Sequence, residues 1–224
     1  MDSSVGGKVA VNHPRGKNII GAFYQPAVVL ADLGALQTLP PREIRAGLAE
    51  VIKYGVIADG EFFGWLEDNL EKALELDPAA CQKMVEVSCR IKADIVGADE
   101  TEQGVRAVLN YGHTVGHAVE SLTGYKAYRH GEAVAIGMAV AAEMAVGLGM
   151  LDRREKDRLV SLLVRAGLPV NVPGHLDKKD LLASLRRDKK VISSRLTFVL
   201  PRAIGRVEIV RDVKEDIIIA GIGD

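Results

Sequence analysis

Apolar residues fall at two different periods along this chain. From Leu39-Pro40-Pro41 onward they recur at helical spacing, as in Ile44, Leu48, Val51 and Ile52. Proline is tolerated in a first helical turn, so Pro41 fits a helix start. Further helices are predicted at 60–76, 79–98, 108–123, 131–150, 153–167 and 178–187. The breaks between them are Asp59-Gly60, Asp77-Pro78, Gly124 and Gly167-Leu168-Pro169. Near the C-terminus Leu196 to Leu200 and Val207 to Val210 alternate as in a small hairpin joined by 201–205. Residues 1–40 read differently: the apolar run Ala27 to Ala31 predicts a buried strand, typical of α/β material. One strand makes no parallel sheet, so this region is expected to be the tail of another domain or to pair elsewhere. The fold class expected is mainly α, with a short α/β remnant over 1–40 and a helical domain over 41–224.

Composition narrows the function classes. Hydrophobic residues are 48% of 224, enough for a sizeable core, and the formal net charge is -1. That balance gives no electrostatic reason to expect nucleic acid or an acidic membrane as partner. The basic cluster Arg186-Arg187-Asp188-Lys189-Lys190 reads by default as a solvated helix end. Two cysteines, Cys81 and Cys89, form no disulfide framework. No secretory leader is visible, and the apolar stretch Ala133 to Leu148 is interrupted by Glu143, so a soluble, cytoplasmic protein is expected.

The candidate chemistry lies in Glu50, His113, His117 and His130. Residues four apart share a helix face, so His113 and His117 can enter one cavity. Two imidazoles and a carboxylate are a common ligand set for a catalytic divalent metal. Taken singly, Glu50 and Lys53 read more readily as a surface ion pair, whereas for His113 and His117 two satisfied core histidines are the lesser reading. Gly112 and Gly116 tilt that balance, because two glycines within five helical residues cost stability unless backbones must approach closely. Thr114 stands where a zinc protease carries glutamate. Lys92, Arg106 and Asn110 precede His113, the last two on one helical stripe with it, and suit a carboxylate- or phosphate-bearing ligand.

These features occur within longer motifs. Asp2-Ser3-Ser4-Val5-Gly6-Gly7-Lys8, Asn12-His13-Pro14-Arg15-Gly16-Lys17-Asn18, Gly47-Leu48-Ala49-Glu50-Val51-Ile52-Lys53-Tyr54-Gly55, Leu109-Asn110-Tyr111-Gly112-His113-Thr114-Val115-Gly116-His117-Ala118 and His130-Gly131-Glu132 resemble 3-dehydroquinate synthase. Gly21-Ala22-Phe23-Tyr24-Gln25-Pro26, Asp188-Lys189-Lys190 and Leu200-Pro201-Arg202 extend the resemblance over essentially the whole chain. It implies conversion of 3-deoxy-arabino-heptulosonate 7-phosphate to 3-dehydroquinate and phosphate, the second step of the shikimate route, with NAD and a divalent metal, zinc or cobalt. It implies Glu50, His113 and His130 as metal ligands. Lys53, Lys92, Arg106, Asn110 and His117 are then catalytic or substrate-contacting, with Asp2, Lys8, Asn18 and one of Lys189 and Lys190 reaching substrate. Asp2, Lys8, Lys17, Asn18 and the loop Ala35, Leu36, Gln37 and Thr38 belong to the NAD side. Members carry an N-terminal nucleotide-binding domain before the position of Asp2 and form homodimers in which a neighbour contributes an arginine. No glycine-rich phosphate turn follows a strand here, so this chain alone is expected to bind metal and to turn over little. The competing expectations are another sugar-phosphate cyclase, a metal-dependent alcohol or glycerol dehydrogenase, or a non-catalytic metal-binding fragment.

Overall fold

The computed structural model describes residues 2–13, 16–101, 104–188 and 196–223. A hairpin of β1 (Lys8–His13) and β2 (Gly16–Phe23) opens the chain. A 3-10 helix at Leu33–Thr38 leads into α1 (Pro41–Ala58), α2 (Gly60–Leu74) and α3 (Pro78–Ala98). A second 3-10 helix, Val105–Asn110, precedes α4 (His113–Leu122) and α5 (His130–Gly147). Then come α6 (Arg153–Arg165), α7 (Lys178–Asp188), the hairpin β3 (Phe198–Ala203) and β4 (Arg206–Val210), and α8 (Glu215–Ile222). The fold is mainly α, as expected, with two separate two-stranded antiparallel sheets among the described residues.

Helix starts follow local chemistry. Asp59, Asp77 and Asp152 each accept a backbone N–H of the first turn of α2, α3 and α6, which satisfies a donor the helix itself cannot. Pro78 follows its cap directly, where its missing N–H costs nothing.

The centre of the domain is α5. It is apolar around its whole circumference from Ala133 through Ala142, and such a helix must be enclosed. It packs against α1, α4, α6, α8 and β3. Two glycines set how near these neighbours come. A Cβ on Gly131 would lie 1.8 Å from the Ala46 carbonyl oxygen of α1. One on Gly137 would lie 1.8 Å from the Gly112 carbonyl oxygen, just before α4. Backbone therefore meets backbone, and side chains on α1, α4 and the start of α5 converge.

Several expectations are corrected here. Ala27 to Ala31 is not a buried strand. It is irregular, with Val28 73% and Leu30 89% exposed. A strand needs a partner for its N–H and C=O groups, and none of the described residues pairs with this run. The pairing occurs instead in β1 and β2, with Lys8 opposite Phe23 and Val11 opposite Ile20. Their glycines and asparagines had masked the strand pattern. The single helix predicted over 108–123 is broken at Tyr111 and Gly112, where Gly112 takes φ 77. A Cβ there would meet the Val134 carbonyl oxygen at 2.7 Å, so packing on α5 forces the turn. Helix α8 was not foreseen because Ile217-Ile218-Ile219 lacks a helical period. It forms by burying Ile218 and Gly221, with Gly221 seated on Met144 of α5. Among the described residues no helix is long and apolar enough to cross a membrane.

Candidate metal centre

Glu50 lies in the middle of α1, His113 opens α4 and His130 opens α5. The N-terminal ends of α1 and α5 are clamped together beside them. Arg42 donates Nε to Glu132 Oε1 at 2.6 Å and its other nitrogen to Oε2 at 2.7 Å, a two-pronged fit that fixes both planes. Glu132 also accepts the Arg129 backbone N–H at 2.8 Å, which caps α5 and holds His130 in place.

Glu50 Oε1 stands 3.5 Å from His113 Nε2 and 3.6 Å from His130 Nε2. It is buried and accepts no hydrogen bond from any described residue. His113 Nδ1 lies 3.0 Å from the Tyr111 carbonyl oxygen. A carbonyl only accepts, so Nδ1 carries the proton and Nε2 turns a lone pair toward Glu50. A carboxylate oxygen facing imidazole lone pairs at these distances calls for a cation between them. Two ligands at ordinary zinc bond lengths and a tetrahedral angle are about 3.4 Å apart. The donor set and its spacing therefore fit a divalent metal.

The electrostatics agree. Burial, followed by the charge of Lys53, pulls the His113 imidazole down to about 3, so it is neutral at physiological pH and fit to bind. Burial pushes the Glu50 carboxyl up, but Lys53 and the imidazoles outweigh it and hold it below the usual carboxylate range. Lys53 is no surface residue. It is 3% exposed, pairs with Glu50 Oε2 at 2.6 Å and donates to the Leu109 carbonyl at 2.8 Å.

His117 falls outside this trio. Its ring sits 5.4 Å from that of His113 and 5.9 Å from that of His130, and it groups with Glu120 and His130 instead. Beside the trio a cleft of about 290 Å³ is lined by Asp2, Lys8, Lys53, Lys92, Arg106 and Asn110 among others. The common helical stripe expected for Arg106, Asn110 and His113 does not exist, because Gly112 turns the chain between them. The turn nevertheless delivers all three to the same cleft. A larger open groove, about 500 Å³, lies between α2 and α3 and carries mixed charges without an imidazole.

The segment from Asp2 to Gly7 roofs the cleft. Lys92 donates to the Asp2 carbonyl at 2.7 Å and pairs with its carboxylate at 3.2 Å. The Tyr54 hydroxyl donates to the same carboxylate. Burial opposes the charge on Asp2, but Lys92 and Tyr54 keep it low. Arg106, 2% exposed, donates to the carbonyls of Glu100 at 2.6 Å and Gly6 at 2.8 Å. Ala35, Leu36, Gln37 and Thr38 sit in the first 3-10 helix, away from this cleft, with Thr38 donating to the Ala35 carbonyl. Lys17 and Asn18 belong to β2, and their side chains lie outside the described residues, as do Lys189 and Lys190.

Sequence reading missed Tyr54, Tyr111 and Glu120. Tyr54 follows Glu50 by four residues and Glu120 follows His113 by seven, so helical spacing puts each on the same face as a member of the trio. Only the bend at Gly112 aims the Tyr111 carbonyl.

A helical domain that sets a carboxylate against two imidazoles, with cations lining the adjoining cleft, forms a candidate metal centre beside a cleft suited to an anionic ligand. Residues 47–191 match the family described as 3-dehydroquinate synthase C-terminal, and residues 1–46 match 3-dehydroquinate synthase N-terminal. The chain belongs to the 3-dehydroquinate synthase family. It is 57% identical over 220 residues to the 3-dehydroquinate synthase of Desulforamulus reducens and 61% identical over 206 residues to that of Pelotomaculum thermopropionicum. These matches cover 98% and 92% of this chain but only 61% and 56% of those proteins. The structure resembles that of 2-epi-5-epi-valiolone synthase from Streptomyces hygroscopicus, solved with NAD+ and Zn2+ (TM-score 0.89, 29% identity, 99% of this chain and 61% of that one). It also resembles 2-deoxy-scyllo-inosose synthase complexed with carbaglucose-6-phosphate, NAD+ and Co2+ (TM-score 0.84, 28% identity, 97% of this chain and 63% of that one).

Proposed function

We propose that this chain carries the metal- and substrate-binding part of a 3-dehydroquinate synthase, which converts 3-deoxy-arabino-heptulosonate 7-phosphate to 3-dehydroquinate and phosphate. The observation that carries the metal is Glu50 Oε1, buried without a donor and facing His113 and His130. The choice of substrate rests on relatedness. Identity is 57% and 61% to 3-dehydroquinate synthases, against 29% and 28% to the valiolone and inosose synthases. The cleft agrees, since Lys53, Lys92 and Arg106 suit a ligand with both a carboxylate and a phosphate.

In this reading Glu50, His113 and His130 hold zinc or cobalt. When bound, the metal acidifies ring hydroxyls and NAD accepts and returns a hydride. The chain's own residues position and neutralise. Lys53 holds Glu50 ionised, and Lys92 and Arg106 orient the anionic ends of the ligand. Asn110 and His117 hold protons at the ring hydroxyls. Asp2 and Lys8 close the cleft from the N-terminal side, the resemblance assigns Asn18 to the same substrate contacts, and Ala35 to Thr38 face the nucleotide. Residues 1–40 belong to the NAD-binding domain and 41–224 to the helical one, a division supported by the exposed apolar Val28 and Leu30. A cytoplasmic setting accords with two free thiols and no membrane-crossing helix among the described residues.

The test is phosphate release by the full-length protein with NAD and zinc or cobalt. Turnover is expected with the heptulosonate phosphate and not with a hexose 6-phosphate that lacks the carboxylate. The reverse preference would make it a different cyclase.

A further inference from the structure

His130 is shared by two groups of acid and imidazole. Glu50 and His113 lie on its Nε2 side, and His117 and Glu120 gather on its Nδ1 side, with Glu120 Oε2 3.3 Å from Nδ1. The arrangement admits two chemistries. One imidazole can bridge two cations, or it can bind one cation while its second nitrogen is anchored. Bridging requires both ring nitrogens to lose their protons, whereas a neutral imidazole keeps one.

The surroundings favour anchoring. Glu120 is 5% exposed, and a buried carboxylate requires hydrogen-bond donors. The His130 side chain is 42% exposed, so packing alone does not hold its ring. The close approach of α4 to α5, where a Cβ on Gly116 would lie 3.0 Å from the Ala133 carbonyl oxygen, brings residue 120 against residue 130. His113 has a matching restraint, with its Nδ1 on the Tyr111 carbonyl.

We propose that Glu120 is a positioning residue that accepts from His130 Nδ1–H, fixing the ring and leaving the Nε2 lone pair for the metal, and that the group His117, Glu120 and His130 holds no second cation. The inference rests on the metal-centre reading above and assigns a residue to it. A carboxylate behind a ligating imidazole fixes its tautomer and raises its basicity, and losing such a partner weakens metal binding about ten- to hundredfold.

Zinc affinity and stoichiometry, measured on the whole chain by competition with a chromophoric chelator, test the assignment. One zinc per chain is expected. Glu120→Ala should weaken it about ten- to hundredfold, and Glu120→Gln, whose amide oxygen still accepts, should weaken it less. His117→Ala should still bind one zinc per chain. Nitrogen-15 NMR of the unsubstituted, metal-free protein should show the His130 proton on Nδ1, an outcome independent of how the variants fold. A second zinc lost in His117→Ala, unchanged affinity in Glu120→Ala, or a proton on Nε2 would overturn the proposal and leave the metal centre standing. Failure of the unsubstituted protein to bind zinc would overturn both.

Discussion

Glu50 Oε1 and His130 Nε2 face each other at 3.6 Å across the junction of α1 and α5. The gap is too long for a hydrogen bond and matches two ligands of one ion. Glu50 Oε1 accepts no hydrogen bond from any described residue, and His113 Nε2 stands 3.5 Å from it on another side.

Replacing Glu50 separates its two roles. Glu50→Gln removes the anionic ligand while keeping a polar neighbour for Lys53. We expect zinc affinity to fall more than about hundredfold, because losing even an outer partner costs about ten- to hundredfold. Glu50→Ala also leaves Lys53, 3% exposed, without its counter-ion. Urea unfolding of the metal-free protein should show a further loss of about 3 kcal/mol.

Acid should destabilise the metal-free protein well above the carboxylate range. The folded His113 titrates at about 3, against 6.5 for the ordinary imidazole. Between those values the unfolded chain binds a proton that the folded chain does not, so stability falls as pH drops through that window. Glu50, held below its ordinary value, acts in the same direction as pH falls further. Denaturation midpoints taken from pH 7 to pH 4 should decline, and His113→Gln should flatten the slope. A level profile in the unsubstituted protein would contradict the burial of a neutral imidazole.

The glycines of α5 set the width of the site. Gly131→Ala and Gly137→Ala each place a Cβ 1.8 Å from a backbone oxygen, which no side-chain adjustment relieves. Each should cost at least about 3 kcal/mol, and Gly131→Ala should also weaken zinc binding, because it separates α1 from α5. Gly64→Ala in α2 is the contrast. Nothing lies within 4 Å of its Cβ position, and it should stabilise by about 0.5 kcal/mol. Thermal denaturation distinguishes the two classes.

Tyr54→Phe tests the roof of the cleft. It deletes the hydroxyl that donates to the Asp2 carboxylate while keeping the ring packed. About 1 kcal/mol of stability should be lost. Hydrogen exchange should quicken at the Val5 amide, which bonds to the Asp2 carbonyl at 3.0 Å.

The sequence by itself determined most of the helices, though not α8, because their apolar periods and aspartate caps are local properties, as the starts of α2, α3 and α6 show. It also offered Glu50, His113, His117 and His130 as candidates, because histidines are few and Gly112 and Gly116 stand out beside two of them, and the resemblance implied Glu50, His113 and His130 as the ligands. It did not determine where the ligands meet. Glu50 and His130 are far apart in sequence, and the close contact of Gly131 with Ala46 together with the Arg42–Glu132 pair brings α1 and α5 together beneath them. The strand expected at Ala27 to Ala31 failed for the same reason, since pairing depends on a partner and not on the run itself. The break at Gly112, the burial of Lys53 and the placing of Glu120 behind His130 were likewise decided by packing between segments, which no period along the chain encodes.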